Sequence, residues 1–128
     1  MRILLDTVTF LWTVTDAIEL SDTAREVFSD PDNDVFLSVV SSWEIAIKNC
    51  IGRLPLPESP AKFIPTQRKR HDIESLTLDE EATLYLNRLP VLHKDPFDRM
   101  LVCQAIVQHL VILTPDDLIN QYPVRTLW

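Results

Sequence analysis

The sequence predicts an α/β fold, a three-layer α/β/α sandwich around a mainly parallel central sheet. Three observations carry that reading. Short apolar runs of strand length, Ile3–Leu5, Val35–Leu37 and Val111–Leu113, are spread along the chain. Segments with helical spacing lie between them. Runs this continuously apolar belong to strands covered on both faces, which requires helices above and below the sheet. At 128 residues the chain has the length of a single domain, expected to span residues 1–128. A hydrophobic fraction of 46% is enough for a packed core.

Between the first two strands, Thr7–Val14 reads as a helix with Phe10, Leu11 and Val14 on one side. Ser21 has the chemistry of an N-cap for a second helix, Asp22–Phe28. Ser41–Cys50 follows Val35–Leu37 as a helix, with Trp43, Ile47 and Cys50 at helical spacing and Gly52 just beyond its end. Phe10, Trp43 and Ile47 are expected in the core, and Cys50 and Cys103 are expected to be buried, reduced thiols. Trp12 and Trp128 fit either a core or a partner-facing position.

Pro55, Pro57 and Pro60 mark an irregular passage. Ala61–His71 is helical in composition, with Pro65 expected to break or kink it. Ser75 and Leu76 end an extended piece. Thr77 is expected to cap a helix running to Arg88, with Glu80 in capping-box position. Pro96–His109 is apolar almost all round, which suits a helix buried on most sides. Pro115–Gln121 reads as a short helix and Val124–Leu127 as a final strand.

Several function classes are excluded. The single glycine, Gly52, rules out the glycine-rich phosphate loops of P-loop NTPases and dinucleotide enzymes. Cys50 and Cys103 have no zinc spacing with His71, His93 and His109. No apolar run is long enough to span a bilayer. The opening residues, charged at Arg2 and Asp6, do not read as a secretory leader, so a cytoplasmic location is expected. A formal charge of −7 argues against phosphate binding by cations alone. It is compatible with acids gathered around a metal ion, which reverses the local field.

Five acids stand out by position. Asp6 and Asp116 directly follow apolar strands, Glu44 lies near the start of the Ser41 helix, and Asp95 and Asp98 open the most apolar helix. Each has a capping explanation: Asp6 before Thr7, Ser41-Ser42-Trp43-Glu44 as a capping box, Asp95 before Pro96, and Thr114-Pro115-Asp116 in the same pattern. Together they have another. Open parallel sheets bind ligands outside the carboxyl ends of their strands, and all five acids can reach that edge. Crowded carboxylates repel one another unless a cation sits between them. Oxygen-only ligands suit Mg²⁺, with Mn²⁺ as a substitute, rather than zinc. A metal-bound water is then a nucleophile for phosphodiester hydrolysis, although a phosphatase or a phospho-acceptor domain shares much of this physics.

Four segments carry a more specific resemblance. Leu4-Leu5-Asp6-Thr7, Ser42-Trp43-Glu44-Ile45-Ala46-Ile47-Lys48, His93-Lys94-Asp95-Pro96-Phe97-Asp98-Arg99-Met100 and Thr114-Pro115-Asp116 resemble, in order, the successive signatures of PIN-domain nucleases. Within that family the chain is similar to the VapC-like toxins. The resemblance implies a Mg²⁺-dependent endoribonuclease acting on RNA, a cognate antitoxin protein that holds it inactive, and a homodimer. It implies Asp6 and Asp98 as direct metal ligands, with Glu44 and Asp116 completing the shell directly or through water. Asp95 is an additional acid, ranked lower because capping already accounts for it. Asp117 reads as a solvated acid. The chain departs from the family pattern at Val8, where relatives carry a polar residue, and at Leu92-His93, where they often show two histidines.

Other residues near the acids have competing readings. Lys48 lies one turn beyond Glu44, either as an ion pair or as an RNA contact. Thr7, Ser38 and Ser41 are polar supports or caps. Arg99 is expected in a structural ion pair. Arg68-Lys69-Arg70-His71 is the densest basic run, read as a solvated helix end or as part of an RNA-binding rim. The antitoxin is expected to dock on apolar surface near Pro55–Pro65. Alternatives to the nuclease are a catalytically silent binding module and a Mg²⁺-binding receiver-type signalling domain.

Overall fold

The computed structural model describes every residue from Met1 to Trp128. In chain order the elements are β1 (Arg2–Leu5), α1 (Thr7–Thr15), α2 (Asp22–Ser29), β2 (Asp34–Ser38), α3 (Val39–Cys50), α4 (Pro60–Arg70), β3 (Glu74–Leu76), α5 (Glu80–Leu84), a 3-10 turn (Tyr85–Arg88), α6 (Pro96–Gln108), β4 (Val111–Leu113), α7 (Asp117–Asn120) and β5 (Thr126–Leu127). The strands form one sheet in the order β3-β2-β1-β4-β5, and every pairing is parallel.

Alternation along the strands divides the core into two layers. Ile3 and Leu5, with Val35, Leu37, Val111 and Leu113, face one side and pack with Phe10, Ala24, Ile45, Phe63 and Ile64. That side is covered by α1 to α4. Leu4 and Ile112 face the other and meet Leu101, Val102, Cys103 and Ala105 of α6, with Ile119 of α7. Each such side chain contributes about 1.5–3 kcal/mol on full burial, so removing one from either layer loosens the sheet that carries the strand ends.

Several local expectations are corrected. α3 begins two residues before Ser41, because Ser38 accepts a hydrogen bond from the Val40 N–H and takes the cap. The capping box at Ser41–Glu44 therefore does not form. Asp79, not Thr77, caps α5 by accepting from Ala82 N–H, while the Thr77 carbonyl accepts from Gln104 Nε2 at 3.2 Å. The helix expected to reach Arg88 stops at Leu84 and tightens into the 3-10 turn. Pro65 does not end α4; Phe63 and Ile64 anchor that helix in the core.

Trp43 is 62% exposed rather than buried, with its ring edge-on to Phe97. The face of α3 turned inward carries Val40, Ser41, Glu44 and Ile45. Cys50 is exposed, and only Cys103 is buried. Trp12 and Trp128 pair with ring centroids 5.9 Å apart and pack against the first core layer. Leu54, Leu56, Phe63 and Ile64 around the proline-rich passage also join that layer. No helix is long and apolar enough to cross a membrane.

Candidate active site

β1 and β4 are neighbours at the centre of the sheet, yet the chain continues from β1 toward β2 and β3, and from β4 toward β5. This is the point where strand order reverses, and a ligand-binding crevice is expected there, beyond the carboxyl ends. Asp6 leaves β1 at that edge and Thr114 to Asp116 leave β4 there. α3 starts at the same edge from β2, and α6, which runs back to the start of β4, begins there too.

Asp6 is the N-cap of α1: its Oδ1 accepts from the Thr9 N–H at 2.8 Å. Its Oδ2 accepts from the Thr114 hydroxyl. At 3% exposure the carboxyl is pushed above its ordinary pKa, chiefly by burial and further by the charge of Asp116, against the opposing pull of the Thr114 and Thr9 hydrogen bonds.

Glu44 is 5% exposed and lies in the second turn of α3, so capping does not explain it. Thr7 donates its hydroxyl to Glu44 Oε1 at 2.7 Å, and Ser41 Oγ lies 2.9 Å from the same hydroxyl. Lys48 forms an ion pair with Oε2. Ser38 turns away to donate to Gln104 Oε1 at 2.5 Å.

Asp98 occupies the first turn of α6, behind the N-cap Asp95, whose Oδ1 accepts from the N–H groups of Phe97 and Asp98. Burial and the adjacent Asp95 push the Asp98 carboxyl up to about 7. A hydrogen bond with His93 opposes the shift, and the charges of Asp116 and Glu44 add to it. Asp116 caps α7 through Leu118 N–H and donates its own N–H to Thr114 Oγ1 at 3.0 Å. Asp117 is exposed.

Asp6, Glu44, Asp98 and Asp116 thus share one electrostatic neighbourhood: Asp116 acts on both Asp6 and Asp98, and Glu44 acts on Asp98. No three His, Cys, Asp or Glu side chains come close enough together to hold a metal ion as they stand. A cavity of about 410 Å³ lies at the other end of the sheet beside His109, Val111 and Arg125 and offers none of these acids.

Arg99 and the basic run Arg68-Lys69-Arg70 make no ion pair with these acids. Arg99 makes no ion pair; one of its amino groups donates to the Leu89 carbonyl at 3.4 Å and its Nε is buried without a partner. Arg68, Lys69 and Arg70 end α4, and Arg68 donates to the Ile73 carbonyl just before β3 starts. That is the amino end of the sheet, opposite the crevice. The sequence reading missed Thr114 as the partner of Asp6 and the pairing of His93 with Asp98. A threonine ending a fully buried strand was the available signal for the first.

An open parallel sheet with carboxylates at the carboxyl ends of its two central strands defines an acid-lined α/β domain. The PIN domain family matches residues 3–124, and the chain belongs to that family. It is 33% identical over 69 residues to Ribonuclease VapC16 of Mycobacterium tuberculosis. That stretch is 54% of this chain and 49% of the relative, so the match spans about half the length of the curated protein. Among solved structures, VapBC2 of Rickettsia felis bound to a promoter DNA fragment superposes with a TM-score of 0.68 at 13% identity, covering 99% of this chain and 98% of that one. DNA-bound VapBC of Salmonella typhimurium gives 0.67 at 18% identity, covering 99% and 97%. VapBC-5 of Mycobacterium tuberculosis, a toxin–antitoxin system, gives 0.60 at 18% identity, covering 98% and 95%. At these identities the likeness is one of fold.

Proposed function

We propose that this chain is a divalent-metal-dependent endoribonuclease, the toxin of a toxin–antitoxin pair, built as one PIN domain over residues 1–128 and acting in the cytoplasm. The observation that carries the reading is the buried Glu44, which caps nothing and shares its crevice with Asp6, Asp98 and Asp116. Membership of the PIN domain family and the likeness to a ribonuclease support the same chemistry.

The donor set fits a hard divalent cation. It offers carboxylate oxygen only, and burial disfavours the ionised forms of Asp6 and Asp98 unless positive charge is nearby. An open site suits Mg²⁺, which takes one or two carboxylates and keeps several waters; Mn²⁺ can substitute. Asp6 and Asp98 would hold the ion directly, with Glu44 and Asp116 directly or through water. When bound, the ion supplies a water of lowered pKa and polarises a phosphoryl oxygen. Thr7 and Lys48 hold Glu44 in place, and Thr114 does the same for Asp6.

RNA is the proposed substrate, and a cognate antitoxin and a second copy of the chain are the proposed protein partners. Solved structures of toxin–antitoxin complexes with the same fold support the antitoxin. Purified protein should cleave single-stranded RNA with Mg²⁺ or Mn²⁺ and not with chelator. Asp6→Asn and Asp98→Asn should each reduce cleavage to background with the circular dichroism spectrum intact. Undiminished cleavage by either variant overturns the assignment.

A further inference from the structure

Tyr122 follows α7 and is only 3% exposed. Its hydroxyl oxygen has two partners, and both belong to His93. The His93 backbone N–H donates to it at 3.3 Å, and His93 Nδ1 lies 2.7 Å away. The other ring nitrogen, Nε2, lies 3.4 Å from Asp98 Oδ2. The two rings also pack together, with centroids 5.4 Å apart. A continuous line therefore runs from the core through Tyr122 and His93 to an acid of the crevice.

Counting protons along this line fixes its direction. A phenol has one proton to give, and Nδ1 is the acceptor within reach. Nδ1 must then be unprotonated, which puts the proton of a neutral imidazole on Nε2, facing Asp98. The opposite tautomer would aim a lone pair at a carboxylate and leave a buried phenol proton without an acceptor, a loss comparable to a missing hydrogen bond.

We infer that Tyr122 is a positioning residue for the crevice: its hydroxyl fixes His93 as the Nε2–H tautomer, and His93 in turn orients the Asp98 carboxylate. The inference rests on Asp98 acting as a metal ligand. Carboxylates that bind metals are themselves held by hydrogen bonds, and losing such a partner weakens metal binding on the order of 10–100-fold. Tyr122 lies 29 residues from His93, so the device couples the end of α7 to the start of α6.

The test combines imidazole ¹⁵N spectra at pH 8 with Mn²⁺ titration followed by electron paramagnetic resonance. The wild-type His93 ring should show the Nε2–H tautomer. Tyr122→Phe, which keeps the buried ring, should shift the Nδ1 resonance and weaken Mn²⁺ binding several-fold. His93→Ala should weaken it on the order of tenfold, and adding Tyr122→Phe to it should change nothing more. His93→Gln, which keeps an N–H near the position of Nε2, should restore most of the affinity and be indifferent to Tyr122→Phe. A Tyr122→Phe variant with the Nδ1 resonance and Mn²⁺ affinity unchanged, or with effects that simply add to those of His93→Ala, overturns the inference. Asp98→Asn separates it from the parent reading. If that variant binds Mn²⁺ as well as wild type, the metal role of Asp98 fails, while the Nδ1 resonance still decides whether Tyr122 sets the tautomer.

Discussion

Thr114 donates its hydroxyl to Asp6 Oδ2, joining residues 108 positions apart at the ends of the two central strands. The Thr114 hydroxyl oxygen in turn accepts the Asp116 N–H. Thr114 is buried, so Thr114→Val strands an acceptor and a donor at once. The expected cost is about 1–3 kcal/mol of stability, with weaker Mn²⁺ binding, and Thr114→Ser should recover both. Chemical denaturation and metal titration check this; a valine variant as stable as wild type would show the hydroxyl to be dispensable.

Without metal, the protein should lose stability as pH rises. The folded-state pKa of Asp98, about 7, lies above its ordinary value of 3.8, and that of Asp6 is shifted the same way. The folded chain therefore keeps protons that the unfolded chain releases, so this contribution is whole below about pH 4 and gone above pH 7. From Asp98 the change is on the order of 2–4 kcal/mol. His71, with its pKa lowered mainly by burial, acts in the opposite sense but is partly exposed and contributes little. Melting temperatures in chelator between pH 5 and pH 8 should fall, and Mn²⁺ should flatten the decline. A melting temperature that climbs with pH in chelator contradicts the prediction.

Lys48→Met should matter more in chelator than in Mn²⁺. Lys48 is the cation paired with the buried Glu44, and its own side chain is partly exposed. The pair is accordingly worth only about 0.5–1 kcal/mol. Metal in the crevice supplies an alternative positive charge, so the destabilisation should shrink when Mn²⁺ is added. Equal losses with and without Mn²⁺ would place Glu44 outside the metal's reach.

Replacing Arg68, Lys69 and Arg70 together with glutamine should leave RNA cleavage within about twofold of wild type at moderate salt, because charges beyond a Debye length of about 8–10 Å are largely screened. These residues end α4 at the amino end of the sheet. A steep drop in cleavage would mean that RNA wraps far beyond the crevice.

The fold was legible because continuous apolar runs have few interpretations. Ile3–Leu5, Val35–Leu37 and Val111–Leu113 all lie within strands of the sheet, and the acids after the first and third fall at the switch point. Helix starts were less legible. Ser38, Ser41 and Ser42 are chemically equivalent caps, and the choice of Ser38 depends on packing. That choice removed Glu44 from its expected capping role. The caps expected at Ser21, Asp95 and Asp6 do form. The His93–Tyr122 pairing crosses the sequence from a loop to the end of a short helix, and no periodicity announces a contact of that kind.

The central pair of strands comes from opposite ends of the chain, and β1 meets β4 only after almost everything between them has been made. During translation, a nascent chain that has not yet released β4 from the ribosome cannot assemble the acidic crevice, however well its first half has folded. A product that stops before β4 lacks Thr114 and Asp116 along with the strand that delivers them to Asp6.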